Sequence, residues 1–386
     1  MTKRLLLYTA YGALKGNIWT LYDFYCKVLK KQLKDRLEVV YVDAKAIEGQ
    51  GFSQKKSFIR RNAALIIPRL MVKGKFDYWI TDSGGNFLSR LSRGVEIEHG
   101  YGTKQTPGIH EINSFKIKIL QKFFLKKLDA FLTLSDFDST YFYPKSFVYH
   151  EAQYMPLGLP RNDRLLDEEK NNQLKEKFCM KNGLPRDCRL LLYAPTWRES
   201  VLQEIDCRPL ENLNALLQEK NTYFLYRPHH HGGIFNREDI NGLSNFIFLD
   251  STVMPDAQEA ISITDCLITD YSSIFVDFLL LNRPIVFYIF DLGEYTQERG
   301  IVIDYDNDKM TPGPKVRTLE ELINEIEIWL SGTDRFEDIR NESRSFFHNN
   351  LDDGSTKRVW QYLLKKLGIE YIINDGQFEE NDDESK

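Results

Sequence analysis

Short apolar runs separated by longer mixed segments recur through the first half of the chain: Arg4–Tyr8, Leu37–Val42, Phe76–Thr81, Gly94–Glu98, Ala130–Leu134 and Phe147–Leu157. Read as strands alternating with helices, they predict a mainly parallel sheet. A second series follows the charged, helix-like stretch Glu168–Lys181: Arg189–Tyr193, Thr222–Tyr226, Phe246–Leu249, Cys266–Thr269 and Ile285–Ile289. The halves share an architecture but no sequence repeat. Between them lies the turn-rich crossing Pro156–Asp163. The expected organisation is a first α/β domain over 1–160, a second over 161–370 whose last helices can return to the first, and a tail over 371–386. Two doubly wound domains that face each other leave a cleft between the carboxyl ends of their strands, where loops supply ligand groups.

Leucines and isoleucines at helical spacing predict amphipathic helices over Thr318–Ser331 and Ser355–Leu367, the second after an Asp352-Asp353-Gly354 break. Thr311-Pro-Gly-Pro-Lys315 is expected to be irregular, because its prolines remove donors and fix a turn. It can line a cleft or simply connect.

Composition narrows the class. With 42% hydrophobic and 13% aromatic residues the chain has the make-up of a folded protein. A formal charge of −5 argues against a general nucleic-acid binder. Asp375–Lys386 carries six acids and one lysine and reads as a solvated, disordered tail. Five cysteines, Cys26, Cys179, Cys188, Cys207 and Cys266, are scattered and form no C-x-x-C pair, as expected of reduced thiols. The N-terminus lacks a signal-peptide core, and no apolar run approaches the ~20 residues of a membrane span, so a protein made and kept inside the cell is expected.

Four segments carry candidate chemistry, each at a strand end. Asp265–Asp277 is a strand ending in Thr269-Asp270 that turns into a helix at Ser272-Ser273. Free amides at such a start seat phosphate; an ordinary N-cap is the other reading. Thr222–His231 delivers Arg227 and three histidines. His229 and His231, two apart, suit a metal pair, but no accompanying cysteine or carboxylate cluster completes one; Arg227 beside an imidazole suits phosphate. Gly94–Lys104 ends a strand at His99, where Gly100 and Gly102 allow close backbone approach. From the first half, His99 would face the cleft opposite His229, where a base on the acceptor side belongs. Leu192–Glu199 carries Thr196 and Arg198, suited to phosphate, and Trp197, suited to a base or to closing the sheet edge.

These motifs fall in one order: Tyr193-Ala-Pro-Thr-Trp-Arg198, Arg227-Pro-His229, Thr269-Asp-Tyr-Ser-Ser273 with Asp277, Arg283-Pro284, Tyr305 with Pro312-Gly-Pro314, and Asp352-Asp-Gly354. Gly158-Leu-Pro-Arg-Asn-Asp163 precedes them. Together they resemble the CDP-glycerol glycerophosphotransferase family, the teichoic acid primases and polymerases, over about residues 94 to 365. The resemblance implies a glycosyltransferase-B-like fold of two facing Rossmann-type domains, with the donor nucleotide held mainly by the second. His99 matches the family's His-Gly histidine and His229 that of its Arg-x-His motif. The family commonly reads His-Gly-Thr-Pro, whereas here Tyr101-Gly-Thr-Lys104 follows Gly100, so the acceptor-side loop is expected to be displaced.

The implied reaction is attack of an acceptor hydroxyl on the phosphorus bearing a polyol, with departure of CMP. His99 and His229 are the catalytic candidates. Arg161, Asn162, Thr196, Arg198, Arg227, Thr269, Ser272, Ser273 and Asp277 are the donor-binding ones, and Gly100 and Lys104 lie on the acceptor side. Within this reading Asp277 accepts hydrogen bonds from the donor's polyol or ribose. No Asp-x-Asp motif stands at a strand end, so no metal is required, although magnesium can assist. Partners are a CDP-polyol and a lipid-linked or polymeric acceptor, with no nucleic acid. The alternatives are a nucleotide-sugar glycosyltransferase of the same fold and a non-catalytic nucleotide-binding scaffold. In Phe115–Leu128, Lys118, Lys122 and Lys126 share one helical face opposite an apolar stripe, which fits either an interfacial helix on the cytoplasmic face of an anionic membrane or a surface helix packed on the first domain.

Overall fold

The computed structural model describes residues 2–10, 15–44, 75–83, 88, 92–97, 103, 127–146, 153–198, 208–229, 234–235 and 237–374. The alternation read from the sequence builds two six-stranded sheets. The first contains β1 (Lys3–Thr9), β2 (Leu37–Asp43), β3 (Tyr78–Thr81), β4 (Arg93–Ile97), β5 (Leu128–Leu132) and β6 (Tyr154–Met155), in the order β2-β1-β3-β4-β5-β6. The second contains β7 (Arg189–Ala194), β8 (Thr222–Tyr226), β9 (Phe246–Phe248), β10 (Cys266–Thr269), β11 (Ile285–Tyr288) and β12 (Lys315–Val316), in the order β12-β11-β10-β7-β8-β9. Every pairing is parallel. Counted from β7, the second order is that of dinucleotide-binding folds, and it reverses between β7 and β10. The first sheet reverses between β1 and β3.

Both faces of each sheet are covered, and for this reason the central strands are near-continuous apolar runs. Leu5, Leu6 and Leu7, and likewise Leu190, Leu191 and Leu192, are fully buried. One apolar cluster runs from Leu5 and Leu7 through Leu165 and Trp360 to Leu190 and Leu267, so the inner faces of the two sheets share a core.

The sheets are joined by the crossing at Pro160–Leu166, a 3-10 turn. Helix α1 (Gly16–Phe24) follows β1, and α2 (Glu168–Lys181) starts where the Asp167 carboxylate accepts from the Lys170 amide. Beyond β10 comes the short α3 (Ile274–Phe278); α4 (Leu319–Leu330), α5 (Glu337–Phe347) and α6 (Ser355–Leu367) complete the chain. Thr318 and Glu321 form a reciprocal capping box that fixes the start of α4. The last helix packs on the first sheet's α1: the Trp360 indole donates to the Leu21 carbonyl at 3.0 Å and stacks on Tyr25.

Of the run Phe147–Leu157 the described part forms the two-residue strand β6, and residues 147–152 lie outside the described ones. One expectation is corrected. Lys315 is regular after all: with Val316 it forms the edge strand β12, while Pro312-Gly-Pro314 stays irregular. Gly313 is required there, since a Cβ would come within 2.1 Å of the Ile285 carbonyl oxygen. Helix α5 went unread, because only a narrow stripe of its surface is apolar. Among the described residues no helix is long and apolar enough to cross a membrane.

Two titratable groups tie the last helices to the rest of the chain, the buried His348 to α3 and the half-buried Asp163 of the crossing to α6, and they respond to pH in opposite directions. His348 donates through Nε2 to the Val276 carbonyl at 2.8 Å, and burial pushes its pKa down to about 4. Its neutral ring binds fewer protons folded than unfolded, so it stabilises above the ordinary value of 6.5 and this contribution is lost as the pH falls toward about 4. Asp163 accepts from the Ser355 and Thr356 amides at the start of α6; burial, only partly offset by these bonds, pushes it up to about 6. That group destabilises the fold when ionised and favours it as the pH falls through about 6. The variant His348→Gln keeps an amide donor and removes one of the two responses. Between pH 7 and pH 4.5 wild type should lose roughly 2 to 3 kcal/mol relative to the variant. Denaturant midpoints of both proteins at the two pH values measure this, and a gap that does not change with pH contradicts it.

Candidate active site

At the reversal of the second sheet, Ala194 pairs with Thr269, so the loops leaving β7 and β10 emerge side by side. One carboxylate joins them. Asp270, fully buried, accepts from the Thr196 amide at 2.9 Å, the Thr196 hydroxyl at 2.6 Å, the Tyr271 amide at 2.6 Å and Arg198 Nη1 at 2.5 Å. The other edge of Arg198 meets Asp291 through Nε at 2.7 Å and Nη2 at 2.9 Å. Its guanidinium also lies 5.1 Å from the ring centres of Tyr271 and Tyr295. Burial by itself lowers the pKa of Arg198, but the two carboxylates more than offset it and hold it above the usual range. Tyr271 donates to Asp291 at 2.7 Å, and burial with that neighbouring charge keeps its hydroxyl protonated.

The exit of β8 is tied to the same place, its Arg227 amide donating to the Tyr193 carbonyl at 2.9 Å. The Arg227 side chain reaches the Met254 carbonyl at 2.6 Å and the Pro255 carbonyl at 3.4 Å, with burial lowering its pKa. Lys15, ahead of α1 in the first half, reaches the same Pro255 carbonyl at 3.4 Å. His229, two residues beyond Arg227, is half-buried. Tyr226 accepts from the amides of Ile234 and Phe235, which ties those two residues to the end of β8.

Ser272 and Ser273 are half-buried at the exit of β10. Ser273 holds the N-cap position without making a side-chain cap bond, whereas the Ser272 hydroxyl accepts from the Ile274 amide at 3.4 Å, a long contact of the capping kind. The helix it opens has only five residues before passing into a 3-10 turn, however, so its dipole is weaker than the sequence suggests.

The structure shows where the polar atoms of several donor-binding candidates go. Asp277 is buried, and its carboxylate is taken by Arg161 Nη2 at 2.7 Å, Asn162 Nδ2 at 2.8 Å and Gln258 Nε2 at 3.3 Å. It holds the crossing against α3. Arg161 and Asn162 are its partners. Thr269 donates to the Ala194 carbonyl, and Thr196 and Arg198 are sealed around Asp270. All six make these contacts within the protein. Arg227, His229, Ser272 and Ser273 lie just beyond the carboxyl ends of β8 and β10. His99, Gly100, Lys104, Lys118, Lys122 and Lys126 lie outside the described residues, as do His230, His231 and the tail from 375.

Sequence reasoning passed over Asp270, Asp291, Gln258 and Thr103. Asp270 stood inside a quoted motif and its chemistry was readable. Asp291 and Gln258 sit in unremarkable stretches and acquire meaning only through the fold. Among the described residues, no group of three or more His, Cys, Asp or Glu side chains is placed to hold a metal ion.

Comparison with known proteins places this geometry. The teichoic acid glycerol-phosphate primase of Bacillus subtilis (strain 168) is 28% identical over 309 residues, 77% of each chain. The teichoic acid poly(glycerol phosphate) polymerase of the same strain is 30% identical over 248 residues, 63% of this chain and 31% of the polymerase. The chain spans only 24% to 35% of the length of the first three polymerases it matches. In fold, it resembles the wall teichoic acid polymerase TagF, with a TM-score of 0.68 at 19% identity over 95% of this chain and 89% of that one. A glycosyltransferase from Rickettsia africae ESF-5 follows at a TM-score of 0.51 and 16% identity, covering 96% of this chain and 100% of its own. The architecture is thus the glycosyltransferase-B-like one, which by itself selects no chemistry. The family model for CDP-glycerol:poly(glycerophosphate) glycerophosphotransferase matches residues 16–365, across both sheets, and the chain belongs to that family.

Proposed function

We propose that the protein transfers glycerol phosphate, or a related polyol phosphate, from its CDP-activated form to a hydroxyl of a teichoic-acid-like or capsular acceptor. The observation that carries this reading is the family match over both sheets, together with a set of phosphate-suited groups at the reversal of a Rossmann-order sheet. The acceptor oxygen forms a bond to the phosphorus bearing the polyol, the bond to the CMP oxygen breaks, and the acceptor proton passes to His99. Arg227 and His229 receive the charge that develops on CMP, and the amides and hydroxyls of Ser272 and Ser273 cradle the diphosphate. The buried Asp270 and Arg198 supply no proton; they keep these loops in register, so that little reorganisation accompanies the reaction. No metal is required in this scheme, and activity in the presence of a chelator decides whether magnesium assists.

A lipid-linked acceptor would bring the enzyme to the cytoplasmic surface of the membrane, and Lys118, Lys122 and Lys126 are the residues proposed to meet anionic lipid there.

The test is to offer the purified protein CDP-glycerol, CDP-ribitol and a set of nucleotide sugars with an acceptor, and to identify the nucleotide released. CMP from a CDP-polyol is the expected product. Release of UDP or another nucleotide would instead identify a glycosyltransferase, and tight donor binding with no release from any of them a scaffold.

A further inference from the structure

Thr103 joins the first half of the chain to the reversal point of the second sheet. It lies in the loop after β4, where the sequence departs from the family's His-Gly-Thr-Pro, yet only 2% of its surface is exposed. Its hydroxyl donates to the Tyr271 carbonyl at 3.3 Å, and its carbonyl accepts from the Val302 amide at 2.9 Å. Both partners belong to the second half. Tyr271 is itself immobilised: its amide is on Asp270, its hydroxyl on Asp291, and its ring stacks on Tyr295 with centres 4.2 Å apart. Asp270 is held from its other side as well, because the Tyr305 hydroxyl donates to its carbonyl at 2.7 Å. Thr103 is therefore moored to a rigid part of the donor-side framework, next to Ser272 in the chain.

His99 precedes Thr103 by four residues. The anchor on Tyr271 is thus a near neighbour in sequence of the proposed base.

We propose that Thr103 is a positioning residue, whose hydroxyl bond to the Tyr271 carbonyl ties the acceptor-side half of the chain to the donor loop and so sets the geometry of the transfer. The proposal rests on the glycerophosphate-transfer reading for its effect on turnover, but not for the anchoring itself. Thr103 touches no reacting atom and no donor group, so its loss acts on the geometry of the reaction and not on donor affinity.

The experiment compares wild type with Thr103→Val, which keeps the shape and removes the hydroxyl, and Thr103→Ser, which keeps the hydroxyl. With CDP-glycerol as donor, Thr103→Val should lower kcat by about ten- to a hundredfold while KM for the donor stays within about twofold, and Thr103→Ser should recover most of the loss. Thr103→Ala is the substitute if Thr103→Val does not fold, with the same split expected. Amide hydrogen exchange supplies a readout free of any assumption about the donor: exchange at Val302 should quicken about tenfold or more in Thr103→Val and stay near wild type in Thr103→Ser. Wild-type kcat in Thr103→Val, a loss shared equally by Thr103→Ser, or unchanged exchange at Val302 each overturns the proposal. If wild type releases no CMP, the transfer reading fails by itself, and the exchange result still decides whether Thr103 is an anchor.

Discussion

Asp270→Ala is expected to lower the stability of the protein by about 3 to 5 kcal/mol, because it breaks a buried ion pair from one side. The carboxylate it removes is fully buried and accepts from both the amide and the hydroxyl of Thr196, from the Tyr271 amide and from Arg198. In its absence these donors lose their acceptor in a site closed to solvent, each at a cost of about 1 to 3 kcal/mol where relaxation does not bring water in. Arg198 keeps Asp291, so its charge is not wholly stranded, and the total should stay below the sum of the separate losses. The melting temperature should fall on the order of 10 °C. Asp270→Asn, similar in shape but without the charge, should fall between wild type and alanine. The contrast is Asp23, whose pair with Lys27 is exposed at 38% and 73% of the side-chain surfaces; Asp23→Ala should cost less than about 1 kcal/mol. Calorimetric melts of the three variants measure this ordering, and an Asp270→Ala protein as stable as Asp23→Ala would mean that the network at the sheet reversal contributes nothing to the fold.

The architecture was legible because parallel strands covered on both faces must be apolar throughout, and such runs stand out between mixed segments. Leu190–Leu192 and Cys266–Thr269 could hardly be anything else. Strands on the sheet margins were harder to read: β6 and β12 have two residues each, and their edges are defined by a neighbour's hydrogen bonds more than by their own side chains. The site was legible as a set of loops but not as a division of labour. A carboxylate such as Asp277 or a guanidinium such as Arg198 has the same chemistry whether it meets a ligand or a buried partner. What decides between these roles is the position of Arg161 or Asp291 in space, more than ninety residues away in the chain. The ordered motifs carried the family more securely than any one residue carried its task. A loop that keeps its internal network must keep the residues behind the ligand as well as those in front of it.

His99→Ala and His229→Ala are each expected to reduce turnover at least about a hundredfold with the fold intact, the larger effect on activity foreseen for this protein. The argument begins from the chemistry of the transfer: an alcohol is a poor nucleophile near neutral pH, and a positioned neutral imidazole that takes its proton in the transition state contributes about 10²- to 10⁴-fold. His99 leaves the first sheet two residues after β4, whereas His229 leaves the second sheet two residues after the Arg227 that is tied to Tyr193. Histidines supplied from the two halves suit opposite ends of an in-line displacement, one at the entering oxygen and the other at the departing phosphate. The two variants should therefore differ in kind. His99→Ala should leave donor affinity near wild type and remove the acidic limb of the kcat-against-pH profile, which an imidazole base produces near pH 6.5. His229→Ala should also weaken binding of a non-transferable CDP-glycerol analogue, since in the proposed mechanism it meets the donor before the reaction as well as during it. His230→Ala and His231→Ala should change either quantity much less. CMP release across pH, with calorimetry for donor affinity, gives both readouts. Near-normal turnover in His99→Ala or His229→Ala would sink the two-histidine mechanism, and a greater loss in His230→Ala would transfer the donor-side role to that neighbour.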